Sequence, residues 1–229
     1  RRVLARADAL VAPSEYLAQA VKLLGFDVEV IPNVVDLALY DYRHRTDLRP
    51  RLFWMRSFEP LYNPEMAVRV LARMREELPD VTLTMAGQDK GSLSVVRALA
   101  AKLGVADAVR FPGFLGPSAK GYEGARHDVF LNTNHIDNMP VAAVEASAMG
   151  IPIVATAVGG IPYLLTHEET GMLVPDDDDE AMSDAVLRLL SDPELAGRLS
   201  ENGRRLAEES SSERVLPRWR ALFDEVVSG

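Results

Sequence analysis

Short apolar runs alternate with longer amphipathic stretches along the whole chain. The short runs predict strands at residues 9–13, 28–31, 51–55, 81–86, 109–111, 128–131 and 153–155. The amphipathic stretches predict helices at residues 14–24, 64–77, 92–103, 118–125, 141–149, 178–190, 193–208 and 213–227. Strands that alternate with helices are typical of α/β proteins, in which helices cover both faces of a parallel sheet.

The predicted elements divide the chain into four parts. Residues 51–210 contain one complete α/β unit, whereas residues 1–36 contain only a strand, a helix and a second strand. Residues 37–50 are polar and are predicted to form a linker. Residues 211–229 hold a final helix. The incomplete first part, and a start at Arg1 rather than at a methionine, indicate a partial chain.

Composition narrows the class of protein. With 48% hydrophobic and 26% charged residues, the sequence is that of an ordinary globular protein. A formal net charge of −9 argues against nucleic acid as a partner. The lack of cysteine excludes a disulfide framework and a thiolate metal site. Because no apolar run could span a membrane and no signal peptide is visible, the expected location is the cytoplasm.

The segment from Asp137 to Gly160 carries the strongest functional signal. Pro140 suits the first position of a helix, because its missing N–H would be unpaired there. The helix that follows is apolar nearly all round and should be buried, so Glu145 in its middle needs a partner or a ligand. The free amides at the helix start form an anion site. An acid beyond a phosphate-sized site, followed by a strand and the Gly159-Gly160 loop, indicates a nucleotide-sugar pocket.

This segment resembles the donor-binding signature of glycosyltransferase family four, a large family of retaining GT-B enzymes. The shared positions are Pro140, Glu145, Ala146, Gly150, Pro152, Val154, Ala155, Thr156, Val158, Gly159, Gly160 and Pro162. The resemblance continues through residues 9–16, 28–36 and 169–175. It implies that residues 51–210 are a Rossmann-like donor-binding domain, residues 1–36 a remnant of the acceptor domain, and residues 211–229 the helix that crosses back to it.

The resemblance also implies an activity. The intact enzyme would transfer a hexose from a nucleotide diphosphate sugar to an acceptor hydroxyl without a cofactor, and the chain without its acceptor domain would be inactive. Any peripheral membrane contact would come from that missing domain. One alternative is an inactive nucleotide-sugar binding module. Another is a different GT-B reaction, such as epimerisation of a nucleotide sugar, which the glutamate and glycine motifs favour less.

Two residues are implied to hold the nucleotide. Arg56, directly after a buried-looking strand, would reach the donor diphosphate and take part in catalysis. The family has a lysine about five residues later, but no lysine lies between Lys22 and Lys90 here. Glu145 would accept hydrogen bonds from the ribose hydroxyls. The alternatives are a surface arginine at a strand end and a half-exposed helix glutamate.

The loop before the helix is implied to face the sugar. Asp137 stands where the family usually has glutamate and would face the sugar hydroxyls or the reacting face, although it could instead form only an Asx turn. Asn138 and Met139 replace the usual Gly-Phe, so the backbone need not follow the common path. Pro140 and Val141 complete this donor-facing loop.

Glycines and one further loop complete the candidate site. Gly159 and Gly160 permit close approach of a ligand to the backbone, and Gly87, at a strand end, could admit the nucleotide. A simple turn is the less favoured alternative for Gly159 and Gly160, whereas a strand-end turn would explain Gly87 equally well. Residues 110–116, which include Phe114, resemble the loop whose backbone reads the base, so the identity of the base stays open.

No metal ion is expected. Asp176–Asp179 look like a metal cluster, but four acids at a helix start complement the helix dipole and cap its free amides. The four histidines, His44, His127, His135 and His167, share no ligand spacing.

Overall fold

The chain begins with a small parallel sheet in the computed structural model, which describes residues 3–228. Strands β1 (Val11–Ala12) and β2 (Glu29–Val30) are joined by helix α1 (Glu15–Lys22). Ser14 caps the helix, because its hydroxyl accepts a hydrogen bond from the Leu17 amide at 3.3 Å. The predicted strand–helix–strand order is therefore confirmed. Arg1, Arg2 and Gly229, which belong to the predicted first and last parts, lie outside the described residues.

A six-stranded parallel sheet forms the body of the chain. Its strands are β3 (Arg51–Met55), β4 (Thr82–Ala86), β5 (Val109–Gly113), β6 (Val129–Asn132), β7 (Ile153–Thr156) and β8 (Met172–Val174). The helices after β2 are α2 (Pro64–Glu77), α3 (Leu93–Lys102), α4 (Pro117–Ala125), α5 (Val141–Ala148), α6 (Ile161–Leu164), α7 (Asp179–Ser191), α8 (Pro193–Glu208) and α9 (Ser212–Ser228). The spatial order β5-β4-β3-β6-β7-β8 is the Rossmann order, counted from β3. The predicted α/β Rossmann-like class is confirmed.

Both faces of this sheet are covered, which explains the unbroken apolar run of β3. Leu52 and Trp54 point into a core that includes residues of α2, α3 and α7. Phe53 and Met55 point the other way, into a core built mainly with α5. A strand buried on both faces reads as continuous rather than alternating hydrophobicity. The carboxyl end of β3 is therefore fixed between two packed layers.

Two details of the main domain differ from prediction. Strand β8 and the short helix α6 were not predicted, because elements of three or four residues are too short for a periodic pattern. Pro140 is the N-cap of α5 rather than its first helical residue. Its ψ of 93° is extended, so the helix begins at Val141.

Residues 37–50, which their polarity predicted to be a linker, contain buried side chains. Tyr40 and Arg45 are only 4% and 1% exposed. The Arg45 guanidinium donates hydrogen bonds to the carbonyls of Gly124 at 3.0 Å and His127 at 3.2 Å. Arginine carries five N–H donors, which lets this polar segment bind the carbonyl ends of neighbouring elements and pack against the domain.

The last helix, α9, returns to the small sheet. The Arg218 guanidinium donates a hydrogen bond to the Val30 carbonyl and lies 3.4 Å from a Glu29 carboxylate oxygen. Within residues 3–228, no helix combines the length and apolarity needed to cross a bilayer.

Candidate functional site

A cavity of about 240 Å³ opens at the carboxyl end of the main sheet. The residues around it come chiefly from the ends of β3 and β4, from the loop after β5 and from the first turns of α5, with one residue from α4. They are Met55, Arg56, Ser57, Tyr62, Ala86, Gly87, Gln88, Phe114, Leu115, Lys120, Val141, Ala142 and Glu145. The sheet order reverses direction between β3 and β6, and ligands of open α/β sheets bind at such a point.

The backbone at Arg56 is set by its neighbour across the sheet. The Arg56 amide donates to the Ala86 carbonyl at 3.1 Å. A Cβ at position 87 would overlap the Arg56 carbonyl oxygen, so only glycine lets the ends of β3 and β4 lie this close. Gly87 lines the cavity, and the contact that requires glycine there is with Arg56.

The Arg56 side chain points into a partly charged environment. Its guanidinium forms an ion pair with Asp137 and lies over the Tyr62 ring, with Cζ 4.7 Å from the ring centroid. Burial lowers the pKa of Arg56, while the nearby Tyr62 and Glu145 act in the opposite direction. Its Nε is buried and has no hydrogen-bond partner within residues 3–228. The accessible N–H groups of a guanidinium suit a phosphate oxygen, with which they form charge-assisted hydrogen bonds.

Asp137 is held by residues at and after the ends of β6 and β7. The Asn134 side-chain amide donates to its carboxylate at 2.7 Å, and the Thr156 hydroxyl holds the Asn134 carbonyl at 2.6 Å. The Gly160 amide donates to the Asp137 carbonyl at 2.7 Å. The structure thus brings together Asp137 and Arg56, which sequence reasoning placed in one site from positions far apart in the chain.

The two glycines after β7 pack against this loop. A Cβ at Gly159 would overlap the carbonyl oxygen of Asp137, and one at Gly160 would overlap that of Asn138. Asn138, Met139 and Gly160 line a second cavity, of about 260 Å³, on the side of the small sheet. These loop residues therefore do not line the first cavity.

The start of α5 faces the first cavity. Val141 and Ala142 line it, and Pro140 provides no side-chain hydrogen bond to the first amides. Amides at a helix start that lack a side-chain acceptor attract anions, aided by the helix dipole. The start of α5, where the sequence predicted an anion site, therefore offers backbone N–H donors to a phosphate.

Glu145 lies in the second turn of α5, and its side chain is 9% exposed. Its Oε1 accepts hydrogen bonds from the Tyr40 hydroxyl and the Lys120 ammonium, both at 2.7 Å, and its Oε2 accepts from Lys120 at 2.9 Å. Burial raises the pKa of the Tyr40 hydroxyl, and the hydrogen bond to Glu145 raises it further by a smaller amount. The partner that an acid in an apolar helix requires is supplied by two residues that the sequence did not indicate.

Sequence reasoning missed four residues whose side chains contact Arg56, Asp137 or Glu145: Tyr40, Tyr62, Lys120 and Asn134. Tyr40 was the most visible of them, since a large aromatic residue is unusual in a polar linker. Lys120 follows a proline and a serine in a short helix, and nothing in that pattern points to the cavity. Phe114 lines the cavity as expected but is 67% exposed, so its ring lies at the rim.

The acidic run before α7 is occupied by protein contacts. Asp178 caps the helix by accepting from the Ala181 amide at 2.8 Å, which confirms the predicted cap. Burial acts to raise the pKa of Asp179, but hydrogen bonds from Arg73 and Arg69 hold it below its usual value. Over the described residues 3–228, no group of three or more histidine, aspartate or glutamate side chains is arranged to hold a metal.

Residues 44–206 match the model of the family described as glycosyl transferases group 1. The chain belongs to this family. A D-inositol 3-phosphate glycosyltransferase of Acidothermus cellulolyticus is 31% identical to it, over 87% of this chain and 50% of that protein. The chain spans about half the length of the curated relatives it matches.

Solved structures show the same fold for this group 1 glycosyltransferase chain. A sucrose-phosphate synthase of Thermosynechococcus elongatus has a TM-score of 0.88 at 23% identity, over 99% of this chain and 60% of that chain. HepE of Anabaena, solved with UDP and glucose, has a TM-score of 0.84 at 19% identity, over 97% and 64%. The chain is thus the C-terminal domain of a GT-B fold, as the motifs around Glu145 indicated.

Proposed function

We propose that this group 1 glycosyltransferase chain binds the nucleoside diphosphate part of a nucleotide sugar in the cavity at the end of β3. The observation that carries the proposal is the convergence of Arg56, the first amides of α5 and the buried Glu145 on one cavity. Two of these features attract phosphate and the third accepts hydrogen bonds from hydroxyls. A ribose linked to a diphosphate presents both chemistries in one molecule.

Each group then has a role in the reaction. Arg56 and the start of α5 stabilise the negative charge of the departing diphosphate, and Glu145 accepts hydrogen bonds from the ribose hydroxyls. Asp137, held against Arg56, faces the transferred sugar, while Asn138 and Met139 line the neighbouring cavity beside the small sheet. Phe114 and its loop lie beside the base. Positioning and charge stabilisation are the main contributions of the protein.

The whole enzyme is proposed to be a retaining transferase that moves a hexose to an acceptor hydroxyl, without a metal and in the cytoplasm. Retention and the hexose rest on the family resemblance of residues 137–160. The GT-B neighbour HepE contains UDP, which makes UDP the first nucleotide to test. GDP and ADP belong in the same test. The backbone of residues 110–116 would read the base, so the sequence of this loop does not identify which base is bound.

Nucleotide binding is the direct test of the proposal. Titration calorimetry with UDP, GDP and ADP should show binding of at least one of them. The monophosphate of the same base should bind at least about tenfold more weakly, a difference of about 1.4 kcal/mol, because it offers fewer oxygens to Arg56 and α5. Adding a metal chelator should change the affinity for the diphosphate by less than about tenfold.

Two results would count against this prediction. If none of the three diphosphates binds, the cavity is not a nucleotide site. If chelator weakens binding more than about tenfold, the metal-independent part is wrong and the acids near Asp177 must be reconsidered.

A second candidate function is a nucleotide-sugar binding module without activity. It is favoured by Asp137 in the place of the usual glutamate and by the absence of a lysine between Arg56 and Lys90. Both functions share nucleotide binding, so turnover separates them. A protein that carries this chain together with an acceptor domain should consume its nucleotide sugar in the presence of acceptor if it is a transferase.

The 229-residue chain alone should transfer no sugar. It spans about half of its curated relatives, and GT-B catalysis is expected in the cleft between two domains. The measurement is incubation with UDP-, GDP- and ADP-sugars and a broad panel of hydroxyl acceptors, with product detected by mass spectrometry. Glycosylated acceptor above the level of a heat-treated control would show that this chain is sufficient.

A further inference from the structure

Lys120 is the second cation at the proposed donor site. Within residues 3–228, the charged side chains that line the cavity are Arg56, Lys120 and Glu145. The Lys120 side chain is 23% exposed, and its ammonium bonds both oxygens of the Glu145 carboxylate. It reaches the cavity from α4, whereas Arg56 follows the end of β3.

The hydrogen bonds on Glu145 leave little room for a further ligand. A carboxylate has about four acceptor positions, two on each oxygen. Oε1 already accepts from Tyr40 and Lys120, and Oε2 accepts from Lys120. One position is free, whereas the two hydroxyls of a ribose need two. One present donor must therefore give way when a ribose binds.

Lys120 is the donor able to move. Tyr40 is 4% exposed and its ring is held in the apolar core around α5. A lysine ammonium sits on a flexible four-carbon stem, and this one already borders the cavity. Arg56, the other cation, is engaged by Asp137. A diphosphate brings more negative charge than a guanidinium shared with a carboxylate can balance.

We propose that Lys120 is an exchangeable counter-ion of the donor site. Ribose hydroxyls displace its ammonium from Glu145, and the ammonium then binds the diphosphate beside Arg56. This inference rests on the proposed nucleotide binding. It also gives the site a second cation for the diphosphate, from a helix rather than from the segment that follows Arg56.

The test compares ligands with and without phosphate. Lys120→Gln should weaken binding of the best nucleoside diphosphate by about tenfold, through loss of a charge-assisted hydrogen bond. It should leave binding of the corresponding nucleoside unchanged or tighter, because Glu145 no longer has to release a cation. The ratio of the two affinities, measured by calorimetry or NMR titration, should thus fall at least about tenfold.

Two further variants complete the experiment. Lys120→Arg keeps the charge and should restore most of the ratio. Lys102→Gln changes an exposed lysine at the end of α3 and should not alter it. Thermal melting checks that each variant is folded.

The outcomes separate this inference from the proposal on which it rests. If the unaltered chain binds a diphosphate but Lys120→Gln weakens nucleoside and diphosphate equally, Lys120 acts only through Glu145 and the inference is wrong, while nucleotide binding stands. The same holds if the substitution changes neither affinity. If the unaltered chain binds no diphosphate, both are wrong.

Discussion

Asp128→Asn should lower the free energy of unfolding by about 3–5 kcal/mol, the cost of removing one partner from a buried ion pair. Asp128 is fully buried and lies against three arginines. Arg43 pairs with it, the Arg49 Nε lies 2.7 Å from one of its oxygens, and the Arg45 Nε lies 3.4 Å from the other. Arg43 and Arg49 can turn to solvent, but Arg45 is 1% exposed and would keep a buried charge without a counter-ion.

Burial, together with the neighbouring Arg43, lowers the pKa of Arg45 to about 10. Asp128 itself acts to raise that pKa, so the substitution removes a group that stabilises the charged guanidinium. Chemical denaturation at pH 7 measures the effect. Asp107→Asn is the matched control, because Asp107 pairs with Arg75 on the surface and should cost no more than about 1 kcal/mol. Equal losses in the two variants would contradict the prediction.

The effect should depend on pH in one direction. Burial acts to raise the pKa of Asp128, but hydrogen bonds from Arg49 and Arg43 hold it below its usual value near 3.8. A carboxylate whose folded-state pKa is lowered stabilises the fold above the unfolded value and stops doing so as the pH falls through the folded one. The difference between Asp128→Asn and the unaltered chain should stay constant between about pH 8 and pH 5 and shrink only below about 3.8.

Glu145→Gln should reduce affinity for the best nucleoside diphosphate about ten- to a hundredfold, since charge-assisted hydrogen bonds contribute roughly 1.5–3 kcal/mol. Glutamine keeps the shape of the side chain but offers the ribose one acceptor oxygen and no charge. A 2′-deoxy nucleotide should bind the unaltered chain weakly and should distinguish the two proteins far less. Calorimetry with both nucleotides gives the comparison.

The contacts of Glu145 change what is expected for stability. If Glu145 were an unpaired buried charge, its replacement by glutamine would leave the fold as stable as before or make it more stable. Because Lys120 and Tyr40 bond it, the variant should instead lose about 1–2 kcal/mol. Glu201→Gln, at an exposed glutamate of α8 paired with Arg205, should leave affinity unchanged. Unchanged affinity in Glu145→Gln as well would remove the ribose role.

Local pattern was sufficient for the order of the elements in the main sheet up to β7. Leu52 to Met55 form an unbroken apolar run, and Val141 to Ala148 an apolar helix with one acid, so both could be assigned without tertiary information. Strand β8 could not, because its three residues are specified by pairing with β7. The position of Pro140 depended on one backbone angle, which spacing does not determine.

The residues of the candidate site likewise fall into those that the sequence indicated and those that it did not. Arg56 directly follows β3, Asp137 precedes α5 and Glu145 lies within α5, so each is marked by an element that the sequence predicted. The topology of the sheet brings all three to one edge. Lys120 and Tyr40 reach Glu145 from segments 25 and 105 positions away in the chain. Such contacts follow from how α4 and residues 37–50 pack, and no period or motif in a single sequence records that packing.

The side chains that contact Asp128 and Glu145 matter for any chimera of this chain with a relative. The three arginines around Asp128 and the tyrosine that donates to Glu145 all precede the first strand of the main sheet; they are Arg43, Arg45, Arg49 and Tyr40. A chimera of this chain joined at Arg51 would take Asp128 and Glu145 from one parent and the three arginines and Tyr40 from another. A junction upstream of Tyr40 would keep Asp128 with its arginines and Glu145 with its tyrosine.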